Sequence, residues 1–388
     1  MENVEYQFKD GVLIISLAGR VDSSNAPRVE EIVKAAVAQY STDHVVLDCD
    51  DLDYLSSAGL RVVLRLAKLS GNFEIINVPS AVYEVFDMTG FTEMFPITKA
   101  YRRISLDGCE VIGRGANGTV YRIDPETIVK VYHGNDSLPE INHDRELARR
   151  AFVLGVPTAI PYDVVRVGSS YGSVYELLNA EPLSTLLASG EKTVDEVAHL
   201  TVDLLKVIHG TKVNPGDLPS EREVVLDWAD FLLDYLPKEL GTKLHDLVAE
   251  VPDDPHMLHG DFHVKNIMYQ DGEVLLIDMD TICYGHPIFE FASIYNAYVG
   301  FGETDPTITE KFLGIPYSMA NELWDKTLHL YFEGADEATI RSIVDKATIV
   351  GSARIMRRTI RRNGDPAVIA AARAHLEELI PQVDSLLF

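Results

Sequence analysis

Cysteine is scarce: Cys49, Cys109 and Cys283 are the only three in 388 residues, too far apart for a CxxC pair or a disulfide framework. A reducing compartment suits such a chain, and small buried thiols are the default reading. No apolar run reaches the roughly eighteen residues that a membrane span needs. The first ten residues, MENVEYQFKD, are charged from the second position, so a signal peptide is not expected and a cytoplasmic site is. Positive charge is also in short supply, with 34 Lys and Arg against 60 Asp and Glu and a formal net charge of −26. A nucleic-acid backbone is therefore not an expected partner, because its sites need a positive surface. No long Pro/Gly/Ser linker and no internal repeat interrupt the chain. What is present is ordinary globular material, 46% hydrophobic and 24% charged, and long enough for two or three domains.

The first hundred residues alternate between two periods. GVLIISLAG (11–19), HVVLDCD (44–50) and NFEIINV (72–78) read as strands. APRVEEIVKAAVAQY (26–40), AGLRVVLRLAKLS (58–70) and SAVYEVFDMTG (80–90) read as helices, the last with Gly90 as a C-cap. This βα alternation predicts a small sheet with helices packed against it. From about Arg103 the pattern changes: CEVIGRGANGTVYRI and ETIVKVY read as three strands joined by tight turns. Beyond about Leu183 helices dominate, apart from short strands at 266–269 and 273–277.

GRGANG supplies Gly113, Gly115 and Gly118 in a GxGxxG spacing, which alone is a weak signal. In a dinucleotide fold a helix would follow it, but here TVYRI favours a second strand, making a hairpin able to close over nucleotide phosphates. Lys130 lies in the next strand between Val129 and Val131, placed to meet the α- and β-phosphates. A lysine in that role needs a carboxylate from the following helix, and Glu146 is the first choice, with Glu140 second.

Downstream, LHGDFHVKNIMY (258–269) precedes LLIDMD (275–280). Phosphoryl transfer needs a proton acceptor beside the incoming hydroxyl and Mg²⁺ held by carboxylate and amide oxygens. Asp261 opens a loop that Asn266 closes, and a turn at QDG (270–272) should bring Asp278 back beside Asn266. That order assigns Asp261 as acceptor, with Asn266 and Asp278 as metal ligands. His259 reads as a loop-packing residue. His263 either neutralises phosphate charge or fixes the loop, and Asp280 either assists a second Mg²⁺, contacts substrate or is a plain polar turn residue.

These motifs resemble those of the aminoglycoside phosphotransferase and choline-kinase-like family. HGDFHVKN is similar to that family's HGDxHxxN loop, and LIDMD to its metal-binding segment, with Val264 standing where proline is common. The resemblance implies a bilobal α+β protein-kinase-like fold over 104–388, with an N-lobe to about 180 and a helical C-lobe from about 181. It implies ATP and Mg²⁺ as cofactors, a Lys130–Glu146 ion pair, and an adenine-receiving hinge at YELL (175–178), including Glu176 and Leu178. It also implies a small-molecule acceptor. A protein kinase would carry HRD, DFG and a long activation segment, whereas here Gly260 replaces the arginine and Asp280 the glycine. Several carboxylates in EREVVLDWADFLLDY (221–235) would suit a cationic acceptor, or equally be solvent-facing helix residues.

Finally, DYLSSAGLRVVLRLAK (53–68) sets two serines before an apolar helix. Ser56 or Ser57 can cap it, and a phosphate there would be favoured by the helix N-terminus. With LAGRVDSSNAPRVEEIV and VFDMTGFTEMFPI, the stretch makes residues 1–103 similar to the α/β STAS domain of anti-sigma factor antagonists. On that resemblance Ser57 is the phosphorylated position, and an anti-sigma factor or other regulatory protein is the partner. Two functions stand: a small-molecule kinase with a STAS regulatory module, or a signalling scaffold whose kinase-like unit senses nucleotide.

Overall fold

A computed structural model describes residues 4–114, 118–133 and 138–388. Two compact units emerge, the first comprising Met1–Ser105 with Val164–Ser169, the second Leu106–Asp163 with Ser170–Phe388.

In the first unit five strands lie in sequence order: Val4–Lys9, Val12–Val21, His44–Leu55, Asn72–Val78 and Ile97–Lys99. The first pair is antiparallel and the others are parallel. The opening strand is one that the sequence reading passed over, although Asp10-Gly11 marks a two-residue hairpin turn; both residues have positive φ, 52° and 84°. Leu13, Ile15 and Leu17 alternate inward. Helix Ala26–Tyr40 answers them with Ala26, Val29, Val33 and Ala36, a buried stripe at helical spacing. Helices Ser57–Ala67 and Ser80–Met88 add Val63, Leu66, Val82 and Phe86 to this core. Gly90, with φ 75°, follows the end of the latter helix as expected.

The second unit opens with antiparallel strands Glu110–Arg114, Gly118–Arg122 and Thr127–Tyr132, and Ser170–Glu176 pairs with the last of these. Helix Leu138–Val153 lies between the third of these strands and Ser170–Glu176 in the chain. Residues 177–180 then carry the chain into a largely helical part. Its centre is helix Ile288–Tyr298, every residue of which is buried. A helix apolar on all sides belongs inside a bundle. Around it pack helices Val194–Gly210, Tyr317–Tyr331 and Glu337–Arg361. Strands Ile267–Gln270 and Glu273–Leu276 form a hairpin whose turn residues Asp271 and Gly272 both have positive φ.

Candidate active site

The short hairpin sets the geometry. Ile267 pairs with Leu276, and one residue beyond each strand the Ile277 N–H donates to the Asn266 carbonyl at 3.0 Å. Asn266 and the residue next to Ile277, Asp278, are thereby fixed side by side. Asn266 Nδ2 donates to the Asp261 carbonyl at 3.0 Å, which ties the far end of the loop to its beginning. Asp278 sits in the left-handed region at φ 62°, a conformation that Asp tolerates better than most residues.

Lys130 lies in the middle strand, flanked by Val120 on one side and Ser173 on the other. Its Nζ donates to Asp278 Oδ1 at 2.8 Å and lies 4.0 Å from Asp280 Oδ2. Burial opposes the charged ammonium, but Asp278 outweighs it and holds Lys130 above its ordinary value, with Asp280 adding. Asp280 is pushed up, first by burial and then by Asp278.

The expected Lys130–Glu146 pair is not formed. Glu146 instead receives Arg149 Nε at 2.9 Å and Arg150 Nε at 3.0 Å along its own helix. The reason is helical phase. Ile141, Ala148 and Ala151 are buried, and Asp144 falls on the stripe they define, whereas Glu146 is turned about 200° away from Asp144. Lys130 takes its carboxylate partners from Asp278 and Asp280 instead; on this helix Asp144 is the acid whose charge Lys130 influences, burial pushing its pKa up and Lys130 opposing that shift. Glu140 is exposed near the start of the same helix.

Of the glycines, Gly118 is sterically required: a Cβ there would lie 2.6 Å from the Val131 carbonyl. At Gly113 a Cβ would meet only Val120 side-chain carbons, at 3.6 Å or more. Gly115 lies outside the described residues. Glu176 ends its strand, its carboxylate accepting the Ile160 N–H at 3.3 Å, and Leu178 follows in the connecting segment.

The loop bearing Asp261 is held from below. His259 is fully buried; its Nε2 donates to the Ile277 carbonyl at 3.2 Å while Nδ1 accepts the Asp261 N–H at 3.3 Å. That is the packing role expected of it. Gly260 has φ 79°, and a Cβ would come within 2.4 Å of the Thr281 carbonyl. Glu290, which the sequence reading did not single out, accepts both the His259 N–H at 2.5 Å and the Gly260 N–H at 3.1 Å. The Val264 N–H donates to the Tyr298 hydroxyl, a bond that proline in its place would forgo.

His263 Nε2 lies 3.5 Å from Asp261 Oδ2. Burial pushes the Asp261 carboxyl up, but the hydrogen bond and charge of His263, with Arg354 and His259 behind it, prevail and hold it at about 2. Asp261 is thus ionised across the physiological range. The His263 ring packs edge-on against Phe312 at 4.8 Å.

The acids of 221–235 are largely engaged with the protein's own side chains. Asp227 binds Arg357, Asp230 faces His245 at 3.6 Å, and Glu223 faces Arg222 at 3.4 Å. Burial pushes Glu221 up to about 7, against the opposing charge of Arg354.

The donor set fits magnesium. Asn266 and Asp278 offer hard oxygens. Among the described residues no three acidic, imidazole or thiol groups converge to hold a metal alone. Mg²⁺ commonly takes one or two carboxylates and completes its shell from water and phosphate.

In the first unit Ser56, not Ser57, caps the helix: its hydroxyl accepts the Ala58 and Gly59 N–H groups at 3.2 and 3.4 Å. Ser57 is the first helical residue and is exposed. Gly59 permits this helix start, since a Cβ would lie 2.5 Å from Leu55 Cδ1.

Residues 108–314, more than half of the chain, match the model of the phosphotransferase enzyme family, and residues 3–104 match the STAS domain model. BtrV of Bordetella bronchiseptica, described as an anti-sigma factor antagonist, is 42% identical over 95 residues, 24% of this chain and 81% of BtrV. An anti-sigma F factor antagonist of Paenibacillus polymyxa is 30% identical over 98 residues, 24% of this chain and 84% of its own. Among solved structures, ADP-bound aminoglycoside phosphotransferase APH(2'')-Ib is 14% identical, with 79% of this chain and 99% of that chain covered and a TM-score of 0.48. Among the described residues no helix is long and apolar enough to cross a membrane. The chain belongs to the phosphotransferase enzyme family, with an α/β STAS domain like that of anti-sigma factor antagonists preceding a bilobal α+β kinase-like fold.

Proposed function

We propose that the second unit moves the γ-phosphoryl group of ATP to a hydroxyl of a small molecule, and that the STAS domain regulates it through a protein partner. The observation that carries this reading is the meeting of Lys130, Asp278, Asn266 and Asp261 in one place: Lys130 on Asp278, Asp278 beside Asn266, and Asn266 on the Asp261 loop. The hairpin containing Gly113, Gly115 and Gly118 would cover the nucleotide phosphates, and Lys130 would release Asp278 to meet them. The segment from Glu176 to Leu178 would receive adenine. Asn266 and Asp278, with Asp280 beside them, would hold Mg²⁺, which supplies charge neutralisation at the phosphate oxygens. Asp261 takes the hydroxyl proton as the acceptor oxygen bonds to the γ-phosphorus and the bond to the β-phosphate oxygen breaks, releasing ADP. His263 orients the Asp261 carboxylate for that transfer.

The test is nucleotide titration and an acceptor screen read by mass spectrometry on the full-length protein. Asp278→Asn should remove Mg²⁺-dependent ATP binding. Asp261→Ala should abolish transfer while leaving nucleotide affinity within about threefold. A protein that neither binds MgATP nor phosphorylates any hydroxyl compound would refute the proposal.

A second reading, a signalling scaffold with a nucleotide-sensing kinase-like unit, is favoured by the exposure of Ser57 beside the Ser56 cap. A phosphate on Ser57 would add about −1.5 to −2 charges at a helix N-terminus and alter that surface for a partner. An anti-sigma factor or another regulatory protein in the cytoplasm is the partner proposed. Capture with phosphorylated and unmodified protein tests it; rapid transfer to a small acceptor with no partner in either form would dismiss it.

A further inference from the structure

Helix Glu337–Arg361 ends in a run of basic residues, RIMRRTIRR (354–362). Arg354, Arg358 and Arg362 recur every four positions and so share one face. Arg354 at one end of this row reaches the catalytic loop: its Nη1 lies 3.4 Å from the Gly260 carbonyl, next to Asp261, and 3.1 Å from Ser293 Oγ. Arg358, one turn on, sits 5.4 Å over the Phe301 ring. Phe301 meets Phe312 edge-on at 6.4 Å, and Phe312 meets His263, the partner of Asp261. A continuous path of contacts therefore runs from Asp261 through His263 and two aromatic rings to Arg358.

Arg354 faces the carboxylates of Glu221 and Asp261, but the two arginines beyond it are short of anions. Among the described residues neither Arg358 nor Arg362 has a carboxylate within ion-pair distance, in contrast to Arg357, which holds Asp227. Burial lowers the pKa of Arg358, Arg362 and Arg354 lower it further, and Asp261 is the one carboxylate acting against them. Basic residues in a last helical turn also suit the helix dipole. That accounts for Arg358 and Arg362 but not for Arg354, nor for an aromatic wall leading to the catalytic aspartate. In a chain with net charge −26, a row of cations beside the acceptor position is a local inversion of the overall charge.

We infer that the hydroxyl compound phosphorylated at Asp261 carries an anionic group, a phosphate or a carboxylate, and that Arg358, with Arg354 and Arg362 on the same helix face, binds it. The inference rests on the phosphotransferase reading of the site. Four residues along a helix rise about 6 Å, so the hydroxyl and the anion should be separated by the length of a small sugar or polyol. Arginine is suited to this role because its planar fork binds both oxyanion types in a bidentate manner.

The test uses the full-length protein saturated with the magnesium complex of AMP-PNP, so that the nucleotide phosphate positions are filled. Inorganic phosphate, glucose 6-phosphate, gluconate, glucose and glucosamine are then titrated calorimetrically. The three anions should bind about tenfold or more tightly than glucose and glucosamine. Arg358→Ala should weaken the anions about tenfold, Arg358→Lys should recover part of that loss, and neither should change AMP-PNP affinity. Arg341→Ala, an exposed change at the other end of the same helix, should leave anion binding alone. AMP-PNP binding with no preference for the anions, or with anion binding insensitive to Arg358→Ala, would overturn the inference alone. A parallel loss of AMP-PNP affinity in Arg358→Ala would also overturn it, by giving the arginine to the nucleotide. Failure of AMP-PNP to bind at all would overturn the phosphotransferase reading and the acceptor role with it.

Discussion

Glu290→Gln should loosen the catalytic loop without touching Asp261. Glu290 is fully buried, and its two carboxylate oxygens divide the labour: Oε2 accepts the His259 N–H and Oε1 the Gly260 N–H. Glutamine keeps the size but replaces one acceptor with an NH₂ group, so one backbone donor then faces another donor. A hydrogen bond to a charged group contributes about 1.5–3 kcal/mol, and a buried N–H left without a partner costs about 1–3 kcal/mol. Because these describe largely the same loss, the expected destabilisation is about 2–4 kcal/mol. For a unit of this size that corresponds to a fall of about 5–10 °C in its unfolding temperature.

The loop should not be lost altogether. Thr281 Oγ1 still donates to the His259 carbonyl at 2.8 Å, and Ser293 Oγ to the Gly260 carbonyl at 2.9 Å. What changes is the precision with which Asp261 is held, and a displacement of about 1 Å at a reacting group can lower the rate about a hundredfold. Scanning calorimetry reads the stability, hydrogen exchange of the 257–266 segment reads the loop, and nucleotide titration checks that ATP affinity persists. If the variant unfolds within about 1 °C of the parent and its loop amides exchange no faster, the anchoring argument is wrong.

Three further outcomes follow from the geometry. Asp144→Asn should weaken MgATP binding by about threefold to tenfold, whereas Glu146→Gln should stay within about twofold, both measured by nucleotide titration; the reverse order would make Glu146 the helix acid that matters at the nucleotide. Gly118→Ala should destabilise the second unit by about 1–3 kcal/mol in thermal unfolding, because its Cβ meets the Val131 backbone, while Gly113→Ala should be tolerated. The third concerns pH: Asp261 is depressed to about 2, so its ionised form stabilises the fold above the ordinary carboxylate pKa of about 4, and that contribution is lost as pH falls through 2. His263→Ala removes the main lowering interaction and should move the carboxyl titration, followed by carbon NMR on labelled aspartate, up toward the ordinary range.

Much of the architecture was legible because it is local. The stripe Ala26, Val29, Val33 and Ala36 and the alternation Leu13, Ile15 and Leu17 announce a helix and a strand from spacing alone. The nearness of Asn266 to Asp278 was also legible, since a two-residue turn fixes the register of the two strands and sets Ile277, next to Asp278, opposite Asn266. Glu146 was misjudged for a local reason as well. The 3.6-residue phase set by Ile141 and Ala148 puts Asp144, and not Glu146, on the inward side of the helix.

The remaining site residues were hidden by separation. Glu290 stands 30 residues beyond Gly260, and Arg354 stands 94 beyond it, so no turn or strand register links either of them to the loop. Their roles depend on how whole helices pack: Ile288–Tyr298 enters the core on all sides and carries one carboxylate with it, and Glu337–Arg361 presents a single face toward the loop. In Glu290 the signal was an acid in an otherwise apolar helix, IFEFASIYNAY, where a lone buried carboxylate must find donors. In the arginine run the signal was a block of positive charge in an acidic chain, which is tied to the Asp261 loop only once Arg354 is seen to reach the Gly260 carbonyl. This difference has a mechanistic counterpart. The nucleotide side is assembled from short contiguous segments whose geometry is fixed by turns and strand ends, so its chemistry is written in motifs. On the proposed acceptor side the charge comes from a distant helix, so Arg358→Ala is expected to change acceptor recognition while every motif residue stays in place.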